Sequence, residues 1–164
     1  MKPLFLFCAG LALPVAGFAA DPVVRIAPPQ LQGSRALEKQ TETSVVRDYL
    51  QAWKTMGQAL EHNTPATLDA DFVGVARDRL AGTIEGQARA GLHTVYSDKS
   101  HDLQIVFYSP EGLSIQMTDT VQYQQQVFDK DKMIGTATVN QRYLIVMTPS
   151  ETRWLVRVFQ TNLD

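Results

Sequence analysis

The residue with the most chemical promise is Asp119. It is the single carboxylate in an alternating row, Leu113, Ile115, Met117, Asp119, Val121, Tyr123, Gln125 and Val127, whose other members are mostly apolar. The intervening row, Ser114, Gln116, Thr118, Thr120, Gln122, Gln124, Gln126 and Phe128, is mostly polar. An acid on the apolar side loses hydration, which disfavours its charged form and suits it to general acid or base work. Partners for it are available in His101 and the tyrosines. Other chemistries find no footing. His62, His93 and His101 are scattered and lack the paired spacing of a metal site. There is no G-x-S-x-G and no phosphate-binding glycine loop, so neither a metal nor a cofactor is expected.

Asp119 must be held by the element that carries it. Period two from 113 to 129 demands a strand with one buried and one wet face. Its length predicts a strong twist or bend around a core. Strands are also expected near 103–108, 134–148 and 152–161, with turns at Ser109-Pro110-Glu111-Gly112, Asp129-Lys130-Asp131 and Ser150-Glu151. Upstream the period changes. Val46, Tyr49, Leu50, Trp53, Met56, Gly57 and Leu60 recur at three- and four-residue spacing, predicting a helix over about 36–61 that stops at Asn63. Large aromatics on such a stripe belong first to a core.

Thr64-Pro65 is expected to cap and open a second helix, with Leu68, Phe72, Val73, Ala76 and Leu80 on its apolar side and Asp69 and Asp71 favoured by its dipole. Gly82 should interrupt it, leaving a short third helix over 83–91 and a turn-rich connection over 92–102. Residues 21–35, with three prolines and a glycine, read as an extended segment, with an edge strand at 23–26 as the alternative. Helices followed by a meander make an α+β fold: N-terminal helices packed on a curved antiparallel sheet of four or more strands.

Register sharpens the site. A three-residue tip at Asp129 to Asp131, or a bulge of the same effect, sets inward residues against inward residues: Val121 with Val139, Met117 with Tyr143, Ile115 with Ile145. Asp119 then faces Gln141, and the next turn sets Gln141 against Gln160 and Ile145 against Val156. A three-residue form of the first turn adds His101 beside Asp119. Buried polar groups need partners, so this row is either a self-satisfied network or the wet end of a pocket. The pocket candidates are Tyr49, Trp53, His101, Asp119, Tyr123, Gln141, Tyr143 and Gln160. No catalytic residue is assigned; Asp119 is the candidate for that role.

The 164 residues open with Lys2, an apolar run to Leu13 and small residues up to Ala20, the pattern of a secretory signal peptide cut after Ala19 or Ala20. The domain plan is therefore a leader over 1–20, an extended segment over 21–35 and one domain over 36–164. Without Lys2 the chain has 14 basic against 17 acidic residues, so nothing argues for nucleic acid or an anionic membrane. Its only cysteine, Cys8, lies in the leader, which excludes disulfides and a cysteine nucleophile from the rest. No membrane anchor is expected after cleavage, and the expected location is periplasmic or secreted.

The helix Val45-Val46-Arg47-Asp48-Tyr49-Leu50-Gln51-Ala52-Trp53, the break at Asn63-Thr64-Pro65 and the late meander ending Arg153-Trp154-Leu155-Val156-Arg157-Val158 resemble the cone-fold superfamily of nuclear transport factor 2, ketosteroid isomerase and SnoaL-like cyclases. The resemblance covers about residues 36–163 and implies a cone-like sheet wrapped on a long helix, with a pocket at the open end. Tyr49 and Asp119 correspond in type to the tyrosine and acid of the isomerases, but no local motif transfers the roles. The superfamily holds enzymes and binding modules alike. The expectation is an exported, non-catalytic module for a partner protein or a small apolar ligand. It could pair as a homodimer through the polar sheet face of Gln116, Thr118, Gln122, Gln124, Thr138, Asn140 and Arg142. The alternative is a small isomerase or hydrolase using Asp119.

Overall fold

The structure, a computed structural model, describes residues 21–33 and 35–161. The expected leader lies outside the described residues. In chain order the elements are β1 (Val23–Ile26), α1 (Lys39–His62), a 3-10 helix (Pro65–Ala70), α2 (Gly74–Arg89), β2 (Leu92–Tyr108), β3 (Ile115–Asp129), β4 (Lys132–Pro149) and β5 (Trp154–Thr161). The five strands form one sheet in the order β1-β2-β3-β4-β5. All neighbours are antiparallel except β1, which runs parallel to β2.

α1 follows its apolar stripe. Val45, Val46, Tyr49, Ala52, Trp53, Met56, Ala59 and Leu60 are all buried. It ends where Asn63 turns left-handed at φ 54° and donates its side-chain amide to the Leu92 carbonyl. Asparagine tolerates that conformation better than most residues. Inward residues Leu103, Ile105, Ile115, Met117, Val121, Ile145, Met147 and Val156 of the sheet meet this stripe and complete the core.

Three expectations need correction, and one open alternative, the edge strand at 23–26, is the form observed. The expected second helix is two elements: a 3-10 helix opens at Pro65 with no capping bond from the Thr64 side chain, and α2 starts only at Gly74. Gly82 does not break α2, which runs unbroken to Arg89; Gly82 is exposed and a mid-helix glycine costs only about 1 kcal/mol, less than burying Ala76, Ala81 and Ile84 returns. Residues 92–102 are not a connection but the first half of β2. Residues 23–26 form the edge strand β1, and the chain beyond stays attached as Ala27, Gln30 and Gln32 donate backbone N–H groups to Leu103, Ile105 and Val106.

The hairpin register keeps the expected parity but not the expected pairs. The tip has two residues, Lys130 and Asp131, with Lys130 at φ 52°. A bulge at Ile134 then shifts the ladder, so Val121 faces Gln141, Asp119 faces Tyr143, Met117 faces Ile145 and Ile115 faces Met147. Inward residues still largely meet inward residues, because the bulge restores the parity that a bare two-residue tip would lose. Along β5 a second bulge sets Ile145 against Phe159 and Met147 against Val156.

Two buried acids tie the helices to β5. Asp48 on α1 accepts the backbone N–H of Trp154 at 2.8 Å. Asp71, just after the 3-10 helix, accepts the Thr55 hydroxyl at 2.5 Å and the Arg153 guanidinium at 3.0 Å. Asp71 is therefore a clasp between elements rather than a dipole ornament. Replacing Asp48 by Ala strands the Trp154 N–H and should lower the unfolding free energy by about 1–3 kcal/mol, read from urea midpoints.

Candidate functional site

Tyr49 and Trp53 lie four residues apart on α1, so they share the face that meets the sheet. Asp119 is midway along β3 and points at that face. β2 brings two polar groups to it by a bulge: the ladder pairs Asp98 with Tyr123 and Ser100 with Gln122, leaving Lys99 as the extra residue. Residues three apart on a regular strand point to opposite sides. The bulge cancels that alternation, so Thr94, Tyr96 and Asp98 before it and His101, Leu103 and Ile105 after it are all turned inward.

The Asp119 carboxylate is wholly buried. Its Oδ2 accepts the Tyr49 hydroxyl at 2.8 Å and His101 Nδ1 at 2.7 Å. His101, also fully buried, turns Nε2 toward Asp98, whose Oδ2 is 3.9 Å away. That contact is an ion pair, longer than a hydrogen bond. Burial alone would lower the His101 pKa, but the bond to Asp119 and the charge of both carboxylates prevail and raise it to about 9. The imidazole is then cationic at neutral pH with a proton on each nitrogen. Burial, then Asp119, push the Tyr49 hydroxyl well above its ordinary pKa, so it stays a donor. Of the three residues His101 alone lines a cleft, with its Nε2 itself buried, and Asp119 and Tyr49 stand behind it.

Around this centre the cone is filled. Trp53 packs edge-on against His101, Tyr123, Tyr143 and Phe159 at ring separations of 5.3–5.8 Å. The Tyr123 and Tyr143 hydroxyls meet at 3.2 Å. Tyr49, Trp53, His101, Asp119, Tyr123 and Tyr143 thus come together. Gln141 and Gln160 do not. The shifted register sets Gln141 against Val121, where its amide donates to the Arg142 carbonyl, and Gln160 is exposed opposite Leu144. His101 reaches Asp119 diagonally, since its ladder partner is Val121. Asp98 is a member that sequence reasoning missed; only knowledge of the Lys99 bulge would have placed it beside His101. Among the described residues no group of three histidine, cysteine or acidic side chains is placed to hold a metal ion.

No family model matches this sequence, and no curated protein sequence does. Solved structures do. The chain is similar to the intermembrane space region of chloroplast protein ARC6, with a TM-score of 0.63 at 14% identity over 79% of this chain and 100% of that one. It is similar to a putative scytalone dehydratase from Novosphingobium aromaticivorans, with a TM-score of 0.53 at 17% identity over 77% and 89%. It also matches ActVI-ORFA from Streptomyces coelicolor, with a TM-score of 0.51 at 14% identity over 74% and 96%.

The chain has the nuclear transport factor 2-like cone fold. At such identities the cone fold is what is shared, and activity must be argued from the site.

The His101 charge links the site to stability. A folded-state pKa of about 9 against about 6.5 unfolded means that the contribution is complete below pH 6.5 and lost as pH rises through 9. The unfolding free energy should therefore fall by up to about 3 kcal/mol between pH 6 and pH 10, and His101→Gln should flatten that slope. Urea denaturation across the range reads both.

Proposed function

We propose that the protein is an exported, non-catalytic cone module that binds a partner protein or a small ligand. One observation carries the reading. The carboxylate and phenol that would do chemistry are sealed, with Asp119 at 0% and Tyr49 at 1% exposure, and aromatic rings occupy the cone. The network then serves to hold α1, β2 and β3 together. Export is supported by the N-terminal pattern and by the likeness to a region that itself lies in an intermembrane space. No helix among the described residues is long and apolar enough to cross a membrane.

The outer sheet face supports a protein contact. Gln122 pairs with Asn140 and Gln124 with Thr138, and this polar, partly exposed face is available to a second copy or another chain. If copies pair there, Gln122→Lys with Asn140→Lys should halve the mass seen by light scattering without moving the unfolding temperature.

An isomerase or hydrolase remains the second reading, favoured by the Tyr49–Asp119–His101 array and by the dehydratase likeness. Asp119→Asn separates the two. The binding-module reading expects a loss of roughly 3 kcal/mol in stability, since a buried ion pair is broken, and no Asp119-dependent turnover of a ketosteroid, ester or epoxide panel. Turnover that Asp119→Asn or His101→Gln abolishes, while the variant stays folded, overturns it.

A further inference from the structure

Four buried side-chain polar atoms among the described residues have no hydrogen-bond partner: Trp53 Nε1, Asp98 Oδ1, His101 Nε2 and Asp119 Oδ1. The first three belong to residues that line one cleft of about 260 Å3, together with Val24, Leu50 and Lys54. A second lobe, also about 260 Å3, shares Trp53, Lys54 and Asp98 and continues past Gly57 to Tyr96 and Glu61. An unpaired buried polar atom is unfavourable by about 1–3 kcal/mol. Two N–H donors and one carboxylate oxygen, on residues that line one cleft, form the pattern of a recognition site.

We propose that this cleft binds a small uncharged group that both accepts and donates hydrogen bonds, a carboxamide or an alcohol, carried on a flat apolar body. The proposal rests on the binding-module reading and gives that module its ligand class. The ligand oxygen, with two lone pairs, accepts from His101 Nε2 and Trp53 Nε1, and its own N–H or O–H donates to Asp98 Oδ1. Charge excludes the alternatives. The cleft is lined by two acids, Asp21 and Asp98, and two bases, Lys54 and His101, so a charged head group of either sign would meet like charge there. Val24, Leu50 and the Tyr96 ring offer the apolar body its walls. Gly57 lines the second lobe with free space above it: a side-chain carbon built there meets nothing within 4 Å. The same head group could come from a free small molecule or from a glutamine or asparagine side chain of a protein partner.

The test is a titration followed by the Trp53 indole N–H signal in nuclear magnetic resonance, using benzamide, benzyl alcohol, benzoate and methyl benzoate. Benzamide and benzyl alcohol should bind saturably and at least about tenfold more tightly than benzoate, which adds charge, or methyl benzoate, which lacks the donor. Gly57→Leu, which fills the second lobe from a helix position that accepts it, should weaken benzamide about tenfold with an unfolding temperature no lower than that of the parent. Equal response to all four probes, no response to any, or unimpaired benzamide binding by Gly57→Leu overturns the site. Acetylglutamine methylamide binding more tightly than benzamide assigns the head group to a protein partner, and weaker binding assigns it to a free molecule. Hydrolysis of benzamide to benzoate and ammonia would instead overturn the non-catalytic reading and leave the cleft standing, while loss of benzamide binding leaves the non-catalytic reading untouched.

Discussion

A carboxylate with no access to water has to be compensated where it lies, and most of this molecule's geometry follows from doing that for Asp119. Compensation comes from two elements at once. Tyr49 reaches down from α1 and His101 reaches across from β2, both to the same oxygen. Because hydrogen bonds tolerate only a few tenths of an ångström, that double contact sets how far α1 sits along the sheet and how it is rotated. Apolar packing alone would leave those choices loose, since leucine and isoleucine slide past one another at little expense. The histidine proton is part of the arrangement: it neutralises the acid and is in turn held by it.

The far end of the helix layer is fixed by the same physics with different partners. Asp48 and Asp71 are nearly as buried as Asp119, yet each is answered by an arginine at the rim and by a neutral donor from within: the Trp154 backbone N–H for Asp48, the Thr55 hydroxyl for Asp71. Three acids therefore pin one apolar layer to one sheet. Only the central one recruits a histidine, and only there do several polar atoms remain unanswered by the protein itself.

How much of this could be read from the chain depends on whether a pattern survived its own irregularities. The inward row of β3 was legible because no bulge interrupts 115–127 against β4. The α1 stripe was legible for the same reason. Parity across the β3–β4 hairpin was legible too, since a slip by one would bury glutamines. The absolute pairing was not: a two-residue tip plus a bulge and a bare three-residue tip obey the same parity, and they differ by one step along the ladder. That step is why Gln141 and Gln160 were expected beside Asp119 and are not. β2 was half invisible because Lys99 breaks its period in the middle, hiding both the strand before it and the nearness of Asp98 to His101.

The β3–β4 ribbon runs on past the helices. No residue of β4 before Tyr143 is buried, and none of β3 after Tyr123 is. Beyond that line β4 has only β3 beside it, while β3 is paired also with residues 92–97 of β2, where Phe128 stacks on His93 at 5.0 Å. Such a segment can fray and re-form without disturbing the aromatic centre, so its amide protons would exchange with solvent through local opening while those near Asp119 wait for the whole domain. The ribbon tip thus lies outside the buried core, and a peptide tag or a fluorophore grafted between Lys130 and Asp131 would travel with the domain without reporting on its interior.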